Sequence, residues 1–218
     1  MIDSILDIDG NIYKTTKIGD QVWMSENLKV RHFRNGEPIL ISKNRLNCET
    51  HLRYKESAVY YSKEDTSEYL KYGLLYSPEI MFDERNLAPE GWHIPTLLEW
   101  KELVRFLGGA DVAGRKLKNS QGWKRESNQP PTYGYKICEF GGTNDFGFSA
   151  LPSGMMKSCY QNAIDVGMYA WYWAADKHKA SQSPTRYGYF NLNYYKGNST
   201  MACSPINNYL AIRCIKNL

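Results

Sequence analysis

The apolar positions of the chain change period twice. From Asn11 to Ile18, β-branched and aromatic residues dominate; Gly19-Asp20 follows, and Gln21-Val22-Trp23-Met24 resumes the pattern. Two such runs joined by two residues with Gly first predict a β-hairpin with a type II′ turn, because Gly accepts the positive φ that the turn needs. From Pro95 to Leu107 the period becomes helical, with Trp100, Leu103, Val104 and Leu107 on one face. Thr96 is placed to cap this helix, Glu99 three residues later completes a capping box, and Gly108-Gly109 stops it. Shorter helical patterns cover Asp111 to Leu117 and Ser67 to Tyr72. The last third returns to strand. Ala170 to Trp173 reads as a buried strand, and Arg186 to Tyr195 and Ser199 to Cys203 flank a hairpin loop at Lys196-Gly197-Asn198. Tyr209 to Ile215 alternates, with Leu210, Ile212 and Cys214 on one face. A hairpin and two or three helices early, followed by several late strands, predict an α+β fold with mixed, mostly antiparallel sheets.

The 218 residues, 42% of them hydrophobic, can bury a sizeable core without disulfides. There is no internal repeat and no linker, and Ser127-Asn128-Gln129-Pro130-Pro131-Thr132 reads as a surface loop, so one domain over residues 1–218 is expected. The net charge of +4 arises partly between Arg31 and Lys55, where Glu37, Glu49 and Glu56 break up the cations. That spacing reads as a solvated basic face, not as a nucleic-acid footprint. No apolar run approaches the roughly 18 residues of a membrane span. Met1 to Asp7 lacks the basic and apolar regions of a signal peptide, which leaves a cytoplasmic chain and a leader outside the given sequence both open.

Five cysteines (Cys48, Cys138, Cys159, Cys203, Cys214) leave at least one thiol unpaired within the chain, and none stands in a zinc-ligand spacing. No metal ligand can be named, no cofactor is expected, and a structural calcium held by loop oxygens is the one metal kept in view. His93 reads as a turn histidine bonded to the backbone before a helix, since no nucleophile motif accompanies it. His178 falls in an exposed loop, Asp176 to Lys179. Trp23, Trp92, Trp100, Trp123 and Trp173 are assigned to the core. Arg186, Tyr187, Tyr189, Asn191, Asn193 and Tyr194 are different: aromatic faces stack on a polar ligand while amide and guanidinium groups hydrogen-bond to it. They are the candidate ligand-binding residues, against the plainer reading of an ordinary strand pair.

Several segments together resemble the Fibrobacter succinogenes major paralogous family. They are Asp7-Ile8-Asp9-Gly10-Asn11-Ile12-Tyr13 with Lys17 to Leu28, Tyr72-Gly73-Leu74-Leu75-Tyr76, Ala88 to Pro95 with Glu99-Trp100, and Gly114 to Lys118 with Gly122-Trp123. Thr143-Asn144 with Gly147 to Pro152 and Gly154, Tyr172-Trp173, and Ile212-Arg213-Cys214-Ile215-Lys216 complete the series. They run in the family's order over nearly the whole chain. The stretch near 48–71 has no counterpart and is expected to be an insertion.

The resemblance implies a C-type-lectin-like fold of the formylglycine-generating-enzyme subgroup, with the two chain ends paired. It also implies a secreted or cell-surface protein of Bacteroidetes and their relatives. Where the family carries a cysteine, this chain has Ala88, so the inherited partner of Cys214 is missing and Cys203 becomes a substitute partner. Calcium-dependent lectins combine a Glu-Pro-Asn or Gln-Pro-Asp tripeptide with Trp-Asn-Asp; here Ile39 follows Glu37-Pro38 and the second motif is absent. The related enzymes need closely spaced cysteines, which the chain lacks. The expected function is therefore a non-catalytic binding or display domain for a glycan, peptide or protein, with its ligand surface on the late strands. A divergent enzyme of the formylglycine-generating type and an assembly module of a surface protein are the alternatives.

Overall fold

The computed structural model describes residues 3–42, 57–59, 67–124, 142–157, 162–180, 183–205 and 208–218. Cys48, Cys138, Cys159, the surface loop at 127–132 and most of the expected insertion near 48–71 lie outside them.

The N-terminal hairpin forms as its sequence dictates. Strand β2 (Ile12–Ile18) pairs with β3 (Gln21–Met24), and Ile18 opposite Gln21 leaves a two-residue loop. Gly19 takes φ +61° and Asp20 does not follow it into positive φ, the type II′ pattern. A side chain at Gly19 would also press on the Phe106 ring, 2.9 Å from an added Cβ. Strand β1 (Ser4–Leu6) lies outside β2.

The C-terminal strand β13 (Ile215–Lys216) inserts between β3 and β7 (Trp92–His93), giving a five-stranded antiparallel sheet in the order β1-β2-β3-β13-β7. The two chain ends therefore close on each other. A second sheet, in the order β11-β10-β9, is built from β9 (Tyr169–Ala180), β10 (Ser183–Asn193) and β11 (Ser199–Pro205). Strand β9 continues through His178, which is exposed on a strand and not in a loop. Smaller sheets join β8 (Met156–Lys157) to β12 (Asn208–Tyr209), and β4 (Leu40–Ser42) through β5 (Ser57–Val59) to β6 (Leu75–Tyr76), with β4 and β5 parallel. The three α-helices among the described residues are α1 (Glu68–Tyr72), α2 (Leu97–Phe106) and α3 (Ala110–Leu117). A 3₁₀ turn spans Glu79–Phe82. The architecture is α+β with mostly antiparallel sheets.

The capping box on α2 is complete. Thr96 Oγ1 accepts from the Glu99 backbone N–H, and the Glu99 carboxylate accepts the Thr96 backbone N–H at 2.8 Å. Thr96→Ala is expected to cost about 1 kcal/mol in chemical denaturation, through a lower midpoint at unchanged slope. Helix α3 meets the β10–β11 loop closely enough that only glycine fits at 114: an added Cβ would lie 2.2 Å from the Asn198 carbonyl oxygen.

Two hydrophobic clusters share the interior. One gathers Trp23, Trp100, Phe148, Tyr172 and Phe190; the other gathers Tyr13, Tyr76, Trp92, Trp173 and Tyr187. The segment 209–215 runs between them. Tyr209, Ala211 and Ile215 enter the first cluster, and Leu210, Ile212 and Cys214 enter the second. The alternation predicted from sequence is therefore present, but both faces are buried. Regular strand is confined to the ends, with single bridges from Leu210 to Tyr76 and from Ala211 to Tyr172 between. Cys203 and Cys214 are free thiols. Cys203 stands opposite Gly188 in the outer β11–β10 pair, whereas Cys214 is fully buried in the second cluster, which also holds Ala88. The substitute pairing of Cys203 with Cys214 is thus not made.

Lys118, at the end of α3, is fully buried. Its ammonium donates to the carbonyls of Asn193 (3.0 Å) and Lys196 (2.9 Å) and lies over the Trp123 ring. Burial lowers its pKa from 10.5 to about 8. Between those values the unfolded chain holds a proton that the folded one has released, so folding gains stability as pH rises from about 8 to about 10.5. Denaturation midpoints compared with those of Lys118→Met across this range should show the wild type gaining on the variant.

Candidate functional site

Strand alternation sorts the late sheet into two faces. Ala170, Tyr172, Ala174, Phe190 and Leu192 point into the first cluster, under α2. The opposite face carries Tyr169, Trp171 and Trp173 on β9. Beside them in register come Asn193, Asn191 and Tyr189 on β10, then Thr200 and Ala202 on β11. At one end the 3₁₀ turn covers this face. Trp173 donates its indole N–H to the Tyr76 carbonyl at 2.8 Å, and the Tyr187 hydroxyl donates to Glu79, which also holds Lys177 at 2.6 Å. At the other end the face is partly open. Tyr169 stacks on Trp171 at 5.6 Å, Trp171 meets Tyr189 edge-on at 5.2 Å, and Tyr195 meets Tyr169 at 6.3 Å.

The six residues proposed from sequence divide accordingly. Tyr187, Asn191 and Asn193 are buried. Asn191 donates to the Ala170 and Leu192 carbonyls and accepts from Thr200, while Asn193 accepts from the Lys196 backbone and donates to Asn198. Their amides hold strands and a loop together. Tyr189 and Tyr194 are partly exposed, and Arg186 is exposed, donating to the Cys203 carbonyl at 3.1 Å. Sequence reasoning missed Tyr169 and Trp171. Trp171 is the one tryptophan outside the family-like elements, and it is the one left partly exposed while the other five are buried.

A separate cleft of about 560 Å³ opens between the hairpin β2–β3 and the loop 144–151. The loop is shaped by Asn144, whose side chain holds both the backbone N–H and the hydroxyl of Ser149. It is fastened to the hairpin through Thr16, which donates to the Phe146 carbonyl, and Ser25, which donates to Gly147 at 2.8 Å. Lys14, Lys71, Glu26 and the fully buried Arg213 are its charged lining. The Arg213 guanidinium donates from Nε (3.0 Å) and Nη2 (2.6 Å) to Asn27 Oδ1 and from Nη1 to the Phe148 carbonyl. It stacks between the Phe148 and Tyr172 rings. Burial lowers its pKa.

His93 is held by side chains, where sequence reasoning expected backbone. Its Nε2 contacts Glu99 at 2.7 Å and its Nδ1 contacts Asn217 at 2.7 Å, so it ties α2 to the C-terminus. Burial pushes the Cys214 thiol up, away from the thiolate that a nucleophile needs. Among the described residues no three His, Cys, Asp or Glu side chains converge on a metal site, and no helix is long and apolar enough to cross a membrane.

Compared with known proteins, residues 16–216 match the sequence model of the Fibrobacter succinogenes major domain. No curated protein and no solved structure matches the chain.

Proposed function

The chain belongs to the Fibrobacter succinogenes major domain family, and from that premise we propose that it is a non-catalytic, surface-associated binding domain of C-type-lectin-like fold that recognises a glycan. The observation that carries the reading is the partly exposed row Tyr169, Trp171 and Tyr189 on the open end of the late sheet. Aromatic rings fixed by a rigid sheet present large apolar faces at little entropic cost, and sugar C–H faces stack on such rings. Thr200, exposed and in register with Asn191, adds a hydrogen-bonding group beside them. Stacking of a sugar ring on aromatic faces needs no bridging cation, so this recognition is expected to be independent of calcium.

The test is a glycan array followed by titration calorimetry on the best hit, with and without a calcium chelator. Tyr189→Ala should weaken binding about tenfold or more, as truncation of an aromatic anchor does. The melting temperature should stay close to that of the wild type, and chelation should change nothing. Glycan binding that survives both Tyr189→Ala and Trp171→Phe undiminished would remove the sheet face from consideration. No binding to any glycan would leave a peptide or protein ligand, or assembly, as the function of the domain.

A further inference from the structure

We propose that the cleft between the β2–β3 hairpin and the loop 144–151 is a second binding site, for the carboxylate of a sugar acid, with Arg213 as its anchor. The site shares no residue with the aromatic face, so it stands or falls independently of the function proposed above.

Three observations converge. First, Arg213 is fully buried yet has no carboxylate partner among the described residues. A guanidinium carries five N–H groups. Three are used on Asn27 and Phe148, which leaves one on each terminal nitrogen, matching the two oxygens of a carboxylate. Second, the charge around the opening is unbalanced. Lys14 and Lys71 join Arg213, and Glu26 alone opposes them, its carboxylate already accepting the Lys14 backbone N–H at 2.8 Å. An entering carboxylate would reduce that excess and pair with a buried cation, where electrostatic interactions are least screened. Third, the remaining wall is mixed. Phe146 and Leu151 offer apolar surface, and Asn119 and Ser149 offer polar groups, the combination that suits a hydroxylated ring. The volume of about 560 Å³ suits a monosaccharide or disaccharide unit.

Arg213 stands in the closing Ile212-Arg213-Cys214-Ile215-Lys216 segment, where its neighbours in the alternation, Ala211 and Ile215, are core residues. A charge at that position costs desolvation, and the floor of a ligand cleft gives it a use beyond its hydrogen bonds to Asn27 and Phe148.

The experiment is calorimetric titration of the intact chain with glucuronic acid, glucuronamide and glucose, and with a short acetylated peptide bearing a free or an amidated C-terminus. Glucuronic acid should bind about tenfold or more tightly than glucuronamide, which keeps the ring and loses only the charge. Its affinity should fall as salt rises. Lys14→Met with Lys71→Met, two exposed positions, should weaken the acid at unchanged melting temperature and leave glucuronamide unaffected. Equal binding of acid and amide, or no saturable binding of either, would overturn the proposal. So would preference for the free peptide terminus, which would make the cleft a peptide site, and full competition by inorganic phosphate, which would make it a site for anions in general.

Discussion

Trp100→Ala should destabilise the domain by about 3–5 kcal/mol, a fall of about 10 °C or more in melting temperature for a chain of this size. Trp100 is fully buried at the centre of the first cluster. Its ring stacks on Phe190 at 4.3 Å and meets Trp23 at 4.6 Å and Tyr172 at 5.6 Å. One side chain on α2 thus joins the hairpin sheet, through Trp23, to the late sheet, through Phe190 and Tyr172. Truncation opens a cavity whose walls belong to three different elements, so no single shift can close it. The indole N–H has no hydrogen-bond partner in this packing. Trp100→Phe therefore removes an unpaired buried donor as well as some volume, and should cost about 1 kcal/mol or less. Equal losses in the two variants would mean that the indole N–H is satisfied and that volume is not the controlling quantity.

Arg213→Met is the second large effect, with an expected loss of about 2–4 kcal/mol. The substitution keeps much of the bulk but leaves Asn27 Oδ1 and the Phe148 carbonyl without donors, each worth about 1–3 kcal/mol when buried. Relief of the desolvated charge offsets part of this. A double-mutant cycle with Asn27→Ala should return a coupling of about 1.5–3 kcal/mol, the range for hydrogen bonds to a charged group. Arg213→Met more stable than the wild type would mean that the desolvation cost outweighs the hydrogen bonds. The arginine would then be a net cost to the fold.

Local elements were legible in the sequence because their signals are local. The Gly19-Asp20 turn, the Thr96–Glu99 box and the Lys196-Gly197-Asn198 loop each lie within a few residues of the structure they specify. The candidate sites were legible only in part. Asn191 and Asn193 have the chemistry of ligand-binding amides, and nothing local indicates that Ala170, Leu192, Thr200 and Asn198 engage them. Trp171, in an apolar run beside Trp173, gives no sign of which ring stays partly exposed. The cleft was invisible because its wall joins residues near 14, 71, 146 and 213.

The sequence by itself determined the hairpins, the capped helix, the α+β character and the family, since periodicity, turn chemistry and motif order are properties of neighbouring residues. Only the tertiary structure decided that the strand β13 enters between β3 and β7, and that segment 209–215 is buried on both faces. It likewise decided that Arg213 lies inside and that Cys203 and Cys214 stay apart. The physical reason is that alternation separates one face of a strand from the other without saying what covers either. Here two hydrophobic clusters, assembled from both halves of the chain, cover both faces of the segment and carry a charged side chain inward with it.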